Sequence, residues 1–69
     1  PFNDLVNYNY EGSDPNATMH VYDLVGHELM QTSVKQGGNQ LDLSEFKGNA
    51  FIIKLIDQEA SYSQKLIRR

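Results

Sequence analysis

Apolar and polar residues alternate with period two in short runs separated by turn-forming residues, a pattern of half-buried β-strands. In Asp4–Tyr10, Val6, Tyr8 and Tyr10 share one face and Asn7 and Asn9 the other. Thr18–Leu24 sets Met19 and Val21 against His20, Tyr22 and Leu24. His27–Val34 follows, and its adjacent Leu29 and Met30 leave the inward face open. Gln40–Leu43 is short, with Leu41 and Leu43 on one face. Ala50–Asp57 is the most apolar run: Phe51, Ile53 and Leu55 line one face, while Ile52 and Ile56 flank Lys54 on the other. Near-continuous apolarity predicts a central strand covered on both faces. Ser61–Ile67 closes the series, with Tyr62 and Leu66 opposed to Lys65 and Ile67.

The punctuation agrees. Asp23–Leu24–Val25–Gly26 has an Asp that can accept a backbone N–H two residues on, then a Gly suited to positive φ, as in a type I turn with a G1 bulge. Gln36–Gly37–Gly38–Asn39 reads as the next turn. Ser44–Glu45–Phe46–Lys47–Gly48 reads as one helical turn, capped by Ser44 and stopped by Gly48. About six strands at roughly 8–12-residue spacing predict an all-β sandwich or small barrel.

Composition narrows the picture. Sixty-nine residues allow one domain, 1–69, with a modest core. There is no Cys, which excludes disulfides and a thiolate zinc site. The longest apolar run, Ala50–Ile53, ends at Lys54, far short of the roughly 20 residues that cross a bilayer. No membrane insertion or signal peptide is expected, and Pro1–Phe2 reads as the cut end of a longer protein. Residues 1–34 carry five acids and no Lys or Arg, whereas residues 35–69 carry six cations against four acids. That is too little basic surface for nucleic acid. Arg68 and Arg69 read either as a solvated end or as a charged recognition tail.

Catalytic chemistry is thin. His20 and His27 flank the Asp23–Gly26 turn, and with Glu28 they offer metal-ligand types; without a further motif they read as half-exposed strand residues. Ser44, Asp42 and a His lack the loop context of a triad. No carboxylate pair is placed for acid–base work. No enzyme activity and no cofactor are expected. Adjacent exposed tyrosines among Tyr8, Tyr10 and Tyr22 would offer a glycan-stacking face, and an accessory module that binds glycan or packs on an enzyme domain is the alternative function.

The order of the pieces resembles a known family. Pro1–Phe2–Asn3–Asp4 looks like the tail of an "NPFN" opening. Val21–Tyr22–Asp23–Leu24–Val25–Gly26–His27–Glu28–Leu29 resembles a "v-y-D-l-x-G-r-x-v" hairpin. The run from Gln40 through Gly48 to Leu55 resembles "i-D-l-s-x-l-x-x-G-x-Y-f-v-k-i", and Tyr62–Arg69 resembles "y-x-x-K-l-i-k-x". Together they resemble the type A C-terminal sorting domain of the type IX secretion system. Phe51 follows Asn49–Ala50 where the family usually has Tyr, and His27 replaces the usual basic residue.

The resemblance implies an immunoglobulin-like antiparallel β-sandwich of about six to seven short strands. It implies a non-catalytic signal carrying a Bacteroidetes-type parent protein from the periplasm to the cell surface or beyond. The implied partners are the type IX translocon and sortase components, with attachment of the parent to anionic lipopolysaccharide in some cases. Translocon recognition is expected at Lys65, Ile67, Arg68 and Arg69. Gly26 and Gly48 are expected to be motif glycines, and Asp23 the turn residue. The edge strand also invites self-association.

Overall fold

The computed structural model describes residues 4–68. Six strands build two antiparallel sheets and no helix forms among the described residues: β1 (Leu5–Tyr10), β2 (Thr18–Tyr22), β3 (Glu28–Ser33), β4 (Gly37–Asp42), β5 (Ala50–Ile56) and β6 (Ser61–Ile67). One sheet pairs β1 with β4; the other has the order β3-β2-β5-β6. The two layers form a small β-sandwich with Cα extents of 32 × 22 × 17 Å.

The alternation sets the inner faces. Val21 lies between Met30 and Ile53, Met19 between Thr32 and Leu55, and Phe51 opposite Leu66. From the facing sheet, Val6 pairs with Leu41, and Tyr10 lies opposite Gly37. Tyr10, Met19, Val21, Leu41 and Phe51 are buried, joined by Ala17, Val34 and Leu43 from the connections. β5 is central in its sheet as the sequence predicts, but its outer residues Ile52, Lys54 and Ile56 are half-buried. They are shielded by neighbouring strands in the sheet rather than by a second layer.

Three local expectations are revised. Gly37–Asn39 belong to β4, paired with Tyr10, Asn9 and Tyr8; the tertiary partner overrides the turn propensity of the glycines. Ser44–Gly48 is not helical. A β-turn closes through the Phe46 N–H to the Leu43 carbonyl (3.1 Å), and Asp42 rather than Ser44 supplies the local side-chain acceptor, taking the Ser44 N–H at 3.0 Å. β3 begins at Glu28, and a register shift at Val21/Tyr22 leaves both Leu29 and Met30 half-buried.

The register defines two poles. β2 finishes at Tyr22, beside Ile52 near the start of β5, while Ala50 pairs with Ile67 at the finish of β6. In the other sheet β1 starts where β4 finishes, and the Leu43 N–H donates to the Asp4 carbonyl (2.7 Å). Arg68 ties these starts and finishes together, so this is the Arg68 pole. The opposite end, closed around Tyr10, is the Tyr10 pole.

Candidate functional site

Asp23, Gly26, Gly48, Ile67 and Arg68, all singled out by the sequence, lie at the Arg68 pole. Asp23 caps the β2–β3 hairpin. Its Oδ1 accepts the N–H groups of Val25 (3.0 Å), Gly26 (2.9 Å) and His27 (2.9 Å). The Gly26 N–H also donates to the Asp23 carbonyl and the Asp23 N–H to the His27 carbonyl. These donors, the His27 N–H foremost, hold the Asp23 carboxyl below its ordinary range. Gly26 sits at φ +105° and Gly48 at φ +107°, conformations that L side chains rarely adopt. A Cβ at either glycine would meet no atom within 4 Å. Their requirement is therefore backbone conformation, not space.

Lys65 pairs with Ile52 and Ile67 with Ala50, on the outer face of β6. β6 pairs only with β5, so its other edge is open, and of its seven residues only Leu66 is half-buried. Lys65 and Ile67 are exposed.

Arg68 differs. Its N–H donates to the Asn49 carbonyl (2.6 Å), its Nη2 donates to the Leu43 carbonyl (2.7 Å), and its guanidinium lies 5.2 Å from the centre of the Phe51 ring. The side chain is only 17% exposed. It is docked over the core, neither a solvated end nor a free charge. Its 3.9 Å approach to half-exposed Asp4 adds little at such exposure. Arg69 lies outside the described residues, as does the Pro1–Asn3 opening.

The latch at the Tyr10 pole has no signature in the sequence pattern. The Tyr10 hydroxyl donates to Asp57 Oδ2 (3.0 Å) and accepts the Asp14 N–H (3.3 Å), while Asp14 Oδ2 takes the Gln58 N–H (2.7 Å). Asp57 Oδ1 accepts from Glu59 and Ala60 in the β5–β6 turn. Gly12 belongs to the same structure: a Cβ there would stand 2.5 Å from the Tyr10 hydroxyl. Tyr10 and Asp57 are 47 residues apart, so no local pattern could show it.

The remaining candidates do not assemble. His20 pairs across from Gln31, and its ring bonds Glu28 (2.6 Å) and Thr18 (3.0 Å), while His27 bonds Asp23 (3.1 Å). The two imidazoles thus serve separate contacts, and no group of three metal-ligand side chains occurs among the described residues. Tyr10 is buried and Tyr8 and Tyr22 are half-buried, with Tyr62 alone strongly exposed at 61%. The adjacent exposed tyrosines that a glycan face needs are not formed among the described residues.

Two shallow grooves of about 410 and 450 Å³ run along the seam between β1 and β6, sharing Gln64. Leu55 and Tyr62 line the first, and Leu5, Leu66 and Ile67 the second. β1 pairs only with β4 and β6 only with β5, so each strand has one unpaired edge.

A family model described as a secretion system C-terminal sorting domain matches residues 1–69. No curated protein and no solved structure matches the chain.

Proposed function

The chain belongs to the secretion system C-terminal sorting domain family, and from that membership we propose that the type IX translocon reads the Arg68 pole together with β6. As a sorting domain of this system it directs export across the outer membrane to the cell surface or extracellular space. The observation that supports the recognition surface is convergence. Asp23, Gly26, Gly48, Ile67 and Arg68 come from three separate stretches of chain, yet the pairing brings them to one pole. Lys65 and Ile67 supply the accessible side chains, and the open edge of β6 can pair with a partner strand by β-augmentation. Arg69, outside the described residues, belongs to the same recognition set in this reading. The domain acts as a signal and not as a catalyst. In this reading a sortase acts on the parent ahead of the domain and joins it to anionic lipopolysaccharide.

The test is a fusion of residues 1–69 to an inert periplasm-targeted reporter in a strain with type IX secretion. Deleting Lys65–Arg69 is an ambiguous probe, because it strips Ala50, Phe51 and Ile52 of their β6 partners. The paired substitution Lys65→Ala with Ile67→Ala leaves the Arg68 contacts in place. The unaltered fusion is expected at the cell surface, and the double variant is expected to be folded but retained in the periplasm. Full export of the folded double variant would remove β6 from the recognition surface.

A further inference from the structure

The hairpin tip between β2 and β3 presents Leu24 and Val25 to solvent at 58% and 81% exposure. Adjacent aliphatic residues this exposed contribute nothing to the core. They are also not on a loose loop. Asp23 Oδ1 takes three backbone N–H groups around them, and two backbone bonds close the hairpin. Among the described residues, four of the five strongly exposed large apolar side chains, Leu5, Leu24, Val25 and Ile67, lie at the Arg68 pole, and the fifth, Tyr62, lies toward the other pole.

We propose that the Asp23–His27 tip is a preformed plug whose Leu24 and Val25 enter an apolar socket with a cationic rim on a protein of the secretion machinery. This rests on the sorting reading above. Rigidity supports the plug: a turn already fixed by its own hydrogen bonds loses little conformational freedom on docking. Charge supports the choice of partner. Asp23 and Glu28 flank the two aliphatics, and the hairpin from Thr18 to Ser33 holds no Lys or Arg. An anionic lipid surface repels such a tip, whereas Lys or Arg around a protein socket complements it. Asp23 is a positioning residue here, because its carboxylate is occupied inside the turn.

The experiment uses the same reporter fusion with Leu24→Ser and Val25→Ser together. The purified variant is expected to keep its β-sheet circular dichroism and to melt within roughly 4 °C of the parent, since both sites are exposed. Surface delivery is expected to fall at least about tenfold, the scale of losing two apolar anchors. Export equal to the parent would overturn the plug. If the double variant unfolds, Val25→Thr, which keeps the shape but adds a hydroxyl, decides by the same comparison. If the unaltered fusion itself stays in the periplasm, the sorting reading falls and the plug falls with it; if only the tip variants are exported unchanged, the plug alone falls. Flotation with vesicles of phosphatidylethanolamine and phosphatidylglycerol tests the lipid alternative. No co-flotation is expected, and co-flotation abolished by the double substitution would overturn the protein socket.

Discussion

Gly26 and Gly48 fix backbone that the rest of the pole depends on, and the empty space around them makes a clean test. Gly26→Ala introduces no clash, so its cost is the positive φ alone, about 1–2 kcal/mol. For a domain of this size that lowers the melting temperature by roughly 4–16 °C. D-alanine at position 26 of a synthetic chain favours positive φ and is expected to restore the parent melting temperature. A loss of stability with D-alanine as large as with L-alanine would show that a contact and not the dihedral is at stake. Of these residues, the Asp23–Gly26 pair was legible in the sequence, because an Asx turn and a G1 glycine have local signatures. Gly12 was not. Its requirement comes from the ring of Tyr10 folding over it, a packing fact with no turn signature.

β6 is an edge strand, and the cations Lys65 within it and Arg68 just after it look equivalent in sequence and are opposites in structure. Lys65 stands in solvent, while Arg68 donates to the Leu43 carbonyl and covers Phe51. Arg68→Ala is expected to cost about 2 kcal/mol through the lost charge-assisted hydrogen bond and ring contact. Lys65→Ala is expected to leave thermal stability unchanged while impairing export. Denaturant unfolding of the two variants checks this, and equal stability of the pair would remove the structural role assigned to Arg68. Period-two alternation predicted the inner faces of β1, β2 and β5 because each face is set by residues two apart. It assigned Gly37–Asn39 to a turn because composition does not reveal that Tyr8–Tyr10 pairs alongside. It missed the docking of Arg68 because that depends on the Leu43 carbonyl, 25 residues away.

For the whole molecule, carboxylates and phenols set the limits of stability with pH. Asp23, Asp42 and Asp57 are held below the ordinary value of 3.8, chiefly by the His27 N–H, the Ser44 hydroxyl and the Glu59 N–H respectively. A depressed folded-state value favours the native state above 3.8, and the contribution is lost as pH falls through the lowered values. Burial raises Tyr8 and Tyr10 above 10.0; their contribution is intact below that value and is lost as pH climbs beyond it. The melting temperature is expected to be flat between roughly pH 5 and 9 and to fall on both sides. Tyr10→Phe is expected to lower the plateau by releasing the Asp57 latch, and an unchanged plateau would show the latch to be idle. The all-β sandwich itself was legible from strand spacing, whereas the two-pole arrangement needed the register.

The 32 × 22 × 17 Å dimensions of the sandwich also bear on the passage of the signal. Travelling lengthwise with its sheets intact, the domain needs an aperture wider than 22 Å across its broader girth, plus the reach of its side chains. A tighter conduit would have to peel the domain. Of the four strands held along one edge, β6 is the least buried, half-buried only at Leu66 among its seven residues, so peeling it uncovers the least surface. The strand proposed as the label is thus also the seam along which the package would open.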